Sequence, residues 1–204
     1  MIIELKKCTK KFNEKIILNE VTTTIPNGLF RLTGKNGVGK STFLRMISGL
    51  DKKYSGELVL GNGQTLYLNV EPVGIHPFTL KENLEILWKA FDLHPSVEQL
   101  AKVTEFFDGN LNVSYSQSST GMKAKLGLSL IFVKDWDVIL IDETMSSLDS
   151  DSIAMITDAL INSTKKNKST IIYVSHSLIN ETLDQNSSSI LLKGGYILWE
   201  NTLN

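Results

Sequence analysis

The sequence predicts an α/β fold with a mainly parallel sheet, and three observations carry that prediction. Short apolar runs of strand type alternate with amphipathic helical stretches, the pattern of strands covered by helices. The runs at 138–141 and 170–174 are almost wholly apolar, as strands buried on both faces require. Residues 76–134 hold no strand signal and read as an α-helical subdomain inserted between two strands. The 204 residues suit one domain with a well-buried core. Residues 1–75 and 135–204 would form its core and β part, and 76–134 the helical insertion.

In chain order, 2–8 and 16–25 read as the strands of an N-terminal antiparallel part. The second strand ends at Pro26-Asn27-Gly28, a turn signal. A strand over 29–33 runs into a Gly-rich loop, then a helix to about Ser48, with Gly49 as its stop. Short strands are expected near 57–60 and 65–70. Residues 81–107 read as helix because Leu84, Leu87, Trp88 and Phe91 fall at i, i+3, i+4 and i+7. His94-Pro95-Ser96 divides that helix in two. Trp88, Phe106 and Phe107 are expected in the core. Residues 122–133 form one further helix, apolar on most sides. A helix from about Ser150 carries Ile153, Ile156 and Leu160 on one face. Residues 190–192 and 196–199 read as a hairpin about Gly194-Gly195.

Composition excludes several classes. The net charge of −1 gives no basic field to attract nucleic acid, so none is expected as a partner. The single cysteine, Cys8, allows neither an internal disulfide nor a zinc cluster and fits a reducing compartment. The N-terminal residues are too polar for a secretory leader. No run approaches the roughly 18–20 apolar residues of a membrane span. A membrane role would therefore come through another chain. Lys6, Lys7, Lys10, Lys11 and Lys15 make a basic N-terminal stretch, read as a solvated strand and turn.

The strongest motif is Gly34-Lys35-Asn36-Gly37-Val38-Gly39-Lys40-Ser41-Thr42, which satisfies G-x-x-x-x-G-K-[ST]. Glycines let the backbone curl until several N–H groups point at phosphate oxygens. The following helix adds the positive end of its dipole. Lys40 can reach the β- and γ-phosphates of ATP, and the Ser41 hydroxyl can ligate Mg²⁺. These features define a P-loop NTPase core.

The run 137–143, Asp-Val-Ile-Leu-Ile-Asp-Glu, is an apolar strand ending in two carboxylates. In a parallel sheet the strand C-termini face the ligand crevice. Asp142 would stand near Mg²⁺, and Glu143 would polarise the attacking water. Successive strand residues point to opposite sides, so the pair can divide these roles.

With these motifs in this order, the sequence resembles the ATP-binding cassette (ABC) family over nearly its whole length. The loop GKNGVGKST is similar to that family's G-x-N-G-x-G-K-S-T. The resemblance implies an adenine-stacking role for Phe12, a D-loop at Ser147-Leu148-Asp149 and a γ-phosphate-sensing role for His176. It also implies ATPase activity, with Glu143, His176 and Lys40 as catalytic residues, and a homodimer or heterodimer of ATP-binding subunits. A separate transmembrane permease would be the further partner. The chain would then be cytoplasmic, peripheral on the inner face of the membrane, and its compactness resembles small export ATPases. A soluble ABC ATPase and a nucleotide-gated switch with little turnover are the alternatives.

Two departures from the family pattern stand out. The signature motif aligns with Ser118-Ser119-Thr120-Gly121-Met122, where Ser119 and Gly121 would contact the other subunit's nucleotide. Thr120 replaces a glycine. Were that position at positive φ, a β-branched residue there would cost about 1–3 kcal/mol and weaken the ATP-driven dimer. The glutamine expected near Leu68-Asn69-Val70-Glu71-Pro72 is missing, which leaves Glu71 as a candidate substitute ligand.

Overall fold

The computed structural model describes residues 2–61, 63–71 and 73–200. In chain order the first half comprises β1 (Ile3–Phe12), β2 (Lys15–Ile25), β3 (Gly28–Thr33), α1 (Lys40–Ile47), β4 (Ser55–Leu60), β5 (Thr65–Leu68), α2 (Leu80–Ala90) and α3 (Val97–Phe106). The second half comprises α4 (Thr120–Leu128), α5 (Leu130–Val133), β6 (Val138–Asp142), α6 (Ser150–Asn167), β7 (Thr170–Val174), α7 (Glu181–Gln185), β8 (Ser188–Lys193) and β9 (Tyr196–Glu200). Single 3₁₀ turns cover Tyr115–Gln117 and Thr144–Ser147. Pro72, at the end of the segment where a glutamine was expected, lies outside the described residues.

The strands form two sheets. A three-stranded antiparallel sheet has the order β2-β1-β4, and a six-stranded sheet has the order β5-β6-β7-β3-β8-β9. The larger sheet is parallel except for β9, which closes a hairpin with β8. Alternation along β6 and β7 divides the interior. Ile139, Ile141, Ile171 and Tyr173 face one core with α2 to α6, while Val138, Leu140, Ile172 and Val174 face another with α1 and the small sheet. Period-2 side-chain direction makes this division. Both faces being covered, β6 and β7 are buried throughout.

The first strand runs longer than its sequence pattern suggests. Ile3 and Leu5 point inward, then a register shift around Lys7 at φ 50° lets Cys8 point inward as well. Such a bulge resets the alternation, and β1 continues to Phe12. The reading of a solvated basic stretch is corrected at Lys10. Its side chain is buried, with the ammonium 2.6 Å from Asp51 Oδ1 and 2.7 Å from the Lys53 carbonyl.

Two capping boxes fix the helical stretch. Thr79 and Glu82 close the start of α2, and Ser96 and Gln99 close the start of α3, reciprocally satisfying first-turn N–H groups. Trp88 packs against the core that encloses Phe106 and Phe107. The expected single helix over 122–133 is two, α4 and α5, with Ser129 between them. The Ser129 hydroxyl donates to the Leu126 carbonyl at 2.7 Å, local bonding by which serine competes with a helix ladder.

Thr120 does not meet the condition for strain, a positive φ. Thr120 is the first residue of α4 and is absent from the residues at positive φ. Ser119 caps that helix, its Oγ accepting from the Met122 N–H at 3.1 Å. A β-branched side chain is tolerated at a helix start, so Thr120 stores no backbone strain.

Candidate active site

Three neighbouring strands of the large sheet, in the order β6-β7-β3, deliver the predicted residues at one edge. β3 runs into the loop 34–42, β6 ends on Asp142 and Glu143, and β7 leads to His176. The C-terminal edge of a parallel sheet is the place for a ligand.

The loop depends on glycine at both ends. Gly34 has φ 142°, and a Cβ there would stand 2.6 Å from the Leu192 carbonyl oxygen. Gly39 has φ 117°, and a Cβ there would strike Ile17 at 2.6 Å. Within the loop the Val38 N–H donates to the Lys35 carbonyl at 3.0 Å. Lys40 is buried, and its ammonium bridges back to the Gly34 carbonyl at 2.9 Å. The cation therefore lies inside the ring of main-chain groups.

A cavity of 330 Å³ opens over this loop. Phe12, Asn36, Gly37, Gly39, Lys40, Ser41, Thr42, Glu143 and His176 line it, while the predicted residues Gly34, Lys35, Val38 and Asp142 do not. Phe12 is 58% exposed at its rim, presenting an aromatic face without a core role. Lys15 and Ile17 line it too, and sequence reasoning missed both. Lys15 is exposed, as a solvated turn predicts, and its ammonium also donates to the Gly37 carbonyl. Its position three residues after Phe12, across the hairpin turn, was the available signal.

The two acids stand in different surroundings. Asp142 is 6% exposed. Burial raises its pKa, with the Ser41 and Tyr67 hydroxyls pulling the other way, Glu143 raising it and Lys40 lowering it. Its Oδ2 accepts from the Tyr67 hydroxyl at 3.3 Å, and its Oδ1 is buried with no hydrogen-bond partner. Burial, and next the Asp142 charge, push the Tyr67 phenol up to about 12. Glu143 adopts left-handed geometry, φ 61° and ψ 2°, a conformation that non-glycine residues hold under strain and that collects at functional sites. That turn carries its carboxylate to 2.7 Å from His176 Nε2.

Ser119, Gly121 and Asp149 do not line this cavity. They lie together at the start of α4 and of α6. A Cβ on Gly121 would stand 2.6 Å from the Ser147 carbonyl oxygen, so α4 begins directly against the 144–147 turn. Lys125 on α4, its side chain 4% exposed, pairs with Asp108 at 3.3 Å and Asp149 at 3.2 Å. Nothing in the sequence pattern pairs these residues. Glu71 lines a second cleft of 190 Å³, between the 69–73 segment, α4 and the turn after β6, together with Val70, Thr120 and Glu143.

Asp149 also caps α6, accepting from the Ser152 N–H and hydroxyl, both at 2.9 Å. The Ser152 N–H, with its hydroxyl and Lys125 adding to it, holds the Asp149 carboxyl down to about 2. A depressed carboxylate stabilises the fold fully above its ordinary value of 3.8 and ceases to do so as pH falls through about 2. Asp149→Ala should therefore lower stability by about 1 kcal/mol at neutral pH. In urea titrations the difference from the parent should shrink between about pH 4 and about pH 2. A difference that stayed constant across that window would refute the assignment.

The loop, the acid pair and the histidine define a P-loop nucleotide hydrolase. The family pattern described as ABC transporter matches residues 18–146, and the chain belongs to this family; it is an ATP-binding, ATP-hydrolysing chain. It is similar to the zinc import ATP-binding protein ZnuC of Rickettsia bellii, 30% identical over 100% of this chain and 87% of that one. It is also similar to Nod factor export ATP-binding protein I of Sinorhizobium fredii, 29% identical over 78% of this chain and 51% of that one. Its fold matches the dimeric post-hydrolysis structure of the ATP-binding cassette MJ0796 bound to ADP and Pi, with TM-score 0.78, 21% identity and 97% of each chain covered. Among the described residues no helix is long and apolar enough to cross a membrane.

Proposed function

We propose that this chain powers an ABC transporter whose membrane-spanning part is a separate chain, working as a dimer of ATP-binding subunits at the inner membrane face. The observation that carries the proposal is the convergence of the 34–42 loop, Asp142, Glu143 and His176 at one edge of three adjacent strands. Relatives named for import and for export both align with it, so the membrane chain would set direction. Residues 76–134 would act as the helical unit that passes motion to that chain.

Two copies would bind two ATP molecules, each held by the loop of one subunit and by Ser119 and Gly121 of the other. Such an interface is isologous. Phe12 would stack on adenine, and Asp149 would lie at the subunit boundary. The main-chain N–H groups and Lys40 would hold the phosphates and balance their charge. His176 would donate from Nε2 to one oxygen of Glu143 and leave the other to accept from the attacking water. Positioning of this kind supplies much of the rate in phosphoryl transfer.

The site suits Mg²⁺. The unpartnered Oδ1 of Asp142 is a hard oxygen donor with Ser41 beside it. Among the described residues no cluster of three metal-binding side chains exists. A cation held by Asp142 and Ser41 would complete its shell from phosphates and water, as Mg²⁺ prefers. When bound, it would neutralise charge building on the phosphate oxygens.

Affinity purification of the tagged chain from its native membrane tests the reading. A multi-span membrane chain should co-purify, and the pair should show ATPase activity. Recovery with ribosomes or nucleic acid instead would favour the soluble alternative and defeat this proposal.

A further inference from the structure

The Tyr67–Asp142 contact joins two parts of the molecule that the sequence keeps 75 residues apart. Tyr67 on β5 pairs in register with Leu140 on β6. Asp142 lies two residues further along β6, on the same face by strand alternation. The ring of Tyr67 packs against the core that holds Val138 and Leu140, and its hydroxyl extends to Asp142 Oδ2 at 3.3 Å. The same side chain lines the 190 Å³ cleft beneath the 69–73 segment.

The contact settles which oxygen of Asp142 is occupied. The carboxylate is 6% exposed, and the Ser41 and Tyr67 hydroxyls both favour its charged form. Tyr67 donates to Oδ2, and Oδ1 remains buried without a partner. A buried unpaired carboxylate oxygen costs free energy unless a ligand satisfies it. Val70 or Glu71 occupies the place of the expected glutamine; Val70 is apolar and 62% exposed, and Glu71 lines the cleft beside Tyr67 and Glu143. Tyr67, on β5, reaches the acid end of β6 through its hydroxyl.

We propose that Tyr67 is a positioning residue for the divalent cation: it fixes the Asp142 carboxylate so that Oδ1 faces the metal bound with ATP. In this chain it thereby links β5 to the metal-binding end of β6. The inference rests on the nucleotide and Mg²⁺ reading above.

Tyr67→Phe removes the hydroxyl and keeps the ring. ATP affinity is measured by calorimetry with Mg²⁺ and with EDTA, and Mn²⁺ affinity of the ATP complex by electron paramagnetic resonance. The variant should bind Mn²⁺ about three- to tenfold more weakly, the worth of one hydrogen bond. Its ATP affinity in EDTA should match the parent. In an Asp142→Asn background, Tyr67→Phe should add no further loss of Mn²⁺ affinity. Unchanged Mn²⁺ affinity in the single variant, additive losses in the double variant, or an equal loss of ATP affinity in EDTA would each overturn the assignment. A parent whose ATP complex takes up no Mn²⁺ would instead overturn the metal site itself.

Discussion

Glu143→Gln is expected to bind MgATP within about threefold of the parent while turning it over about 100- to 10,000-fold more slowly, the span of a lost general base. The glutamine side chain keeps the size of the glutamate and can still face His176, now 2.7 Å from Oε1. It loses the charge that polarises water. Binding groups at the 34–42 loop are untouched, so the variant should accumulate as an ATP-bound dimer on size-exclusion chromatography. Turnover equal to that of the parent would remove Glu143 from the proposed mechanism. The left-handed backbone at Glu143 sharpens the test. A glutamine there inherits the same strained turn, so a loss of rate reports on charge rather than on backbone geometry.

Lys40→Met should weaken ATP binding by about 10- to 100-fold, since a hydrogen bond to a charged group is worth about 1.5–3 kcal/mol. Methionine matches the lysine stem, and Lys40 is only 8% exposed, so the fold should tolerate the exchange. The ammonium bonds the Gly34 carbonyl at 2.9 Å, and losing that tether should loosen the start of the loop. Calorimetry gives the affinity, and thermal melting separates it from any general loss of stability. Parent-like affinity and hydrolysis would sink the phosphate-binding account of this loop.

What could be read from the sequence was local. The 34–42 loop is contiguous, and its glycines fix the backbone whatever surrounds them. Asp142 and Glu143 end an apolar run, and strand alternation alone separates their surroundings. The parallel sheet followed from runs buried on both faces. Readings that needed distant partners were out of reach. Lys10 and Lys15 belong to one basic stretch, yet one is buried against Asp51 and the other touches the phosphate loop. The Tyr67 bond to Asp142 depends on β5 and β6 being neighbours in register. Thr120 failed for another reason: the family pattern suggested a glycine-like backbone, whereas the Ser119 cap makes it an ordinary helix start.

Lys125 sets a limit on how this protein can flex. Its ammonium is tied at once to Asp108, beyond α3, and to Asp149, at the head of α6. With so little solvent around it, letting go of both acids would strand an ion in the interior. The signature end of α4 and the front of α6 must therefore travel as one body.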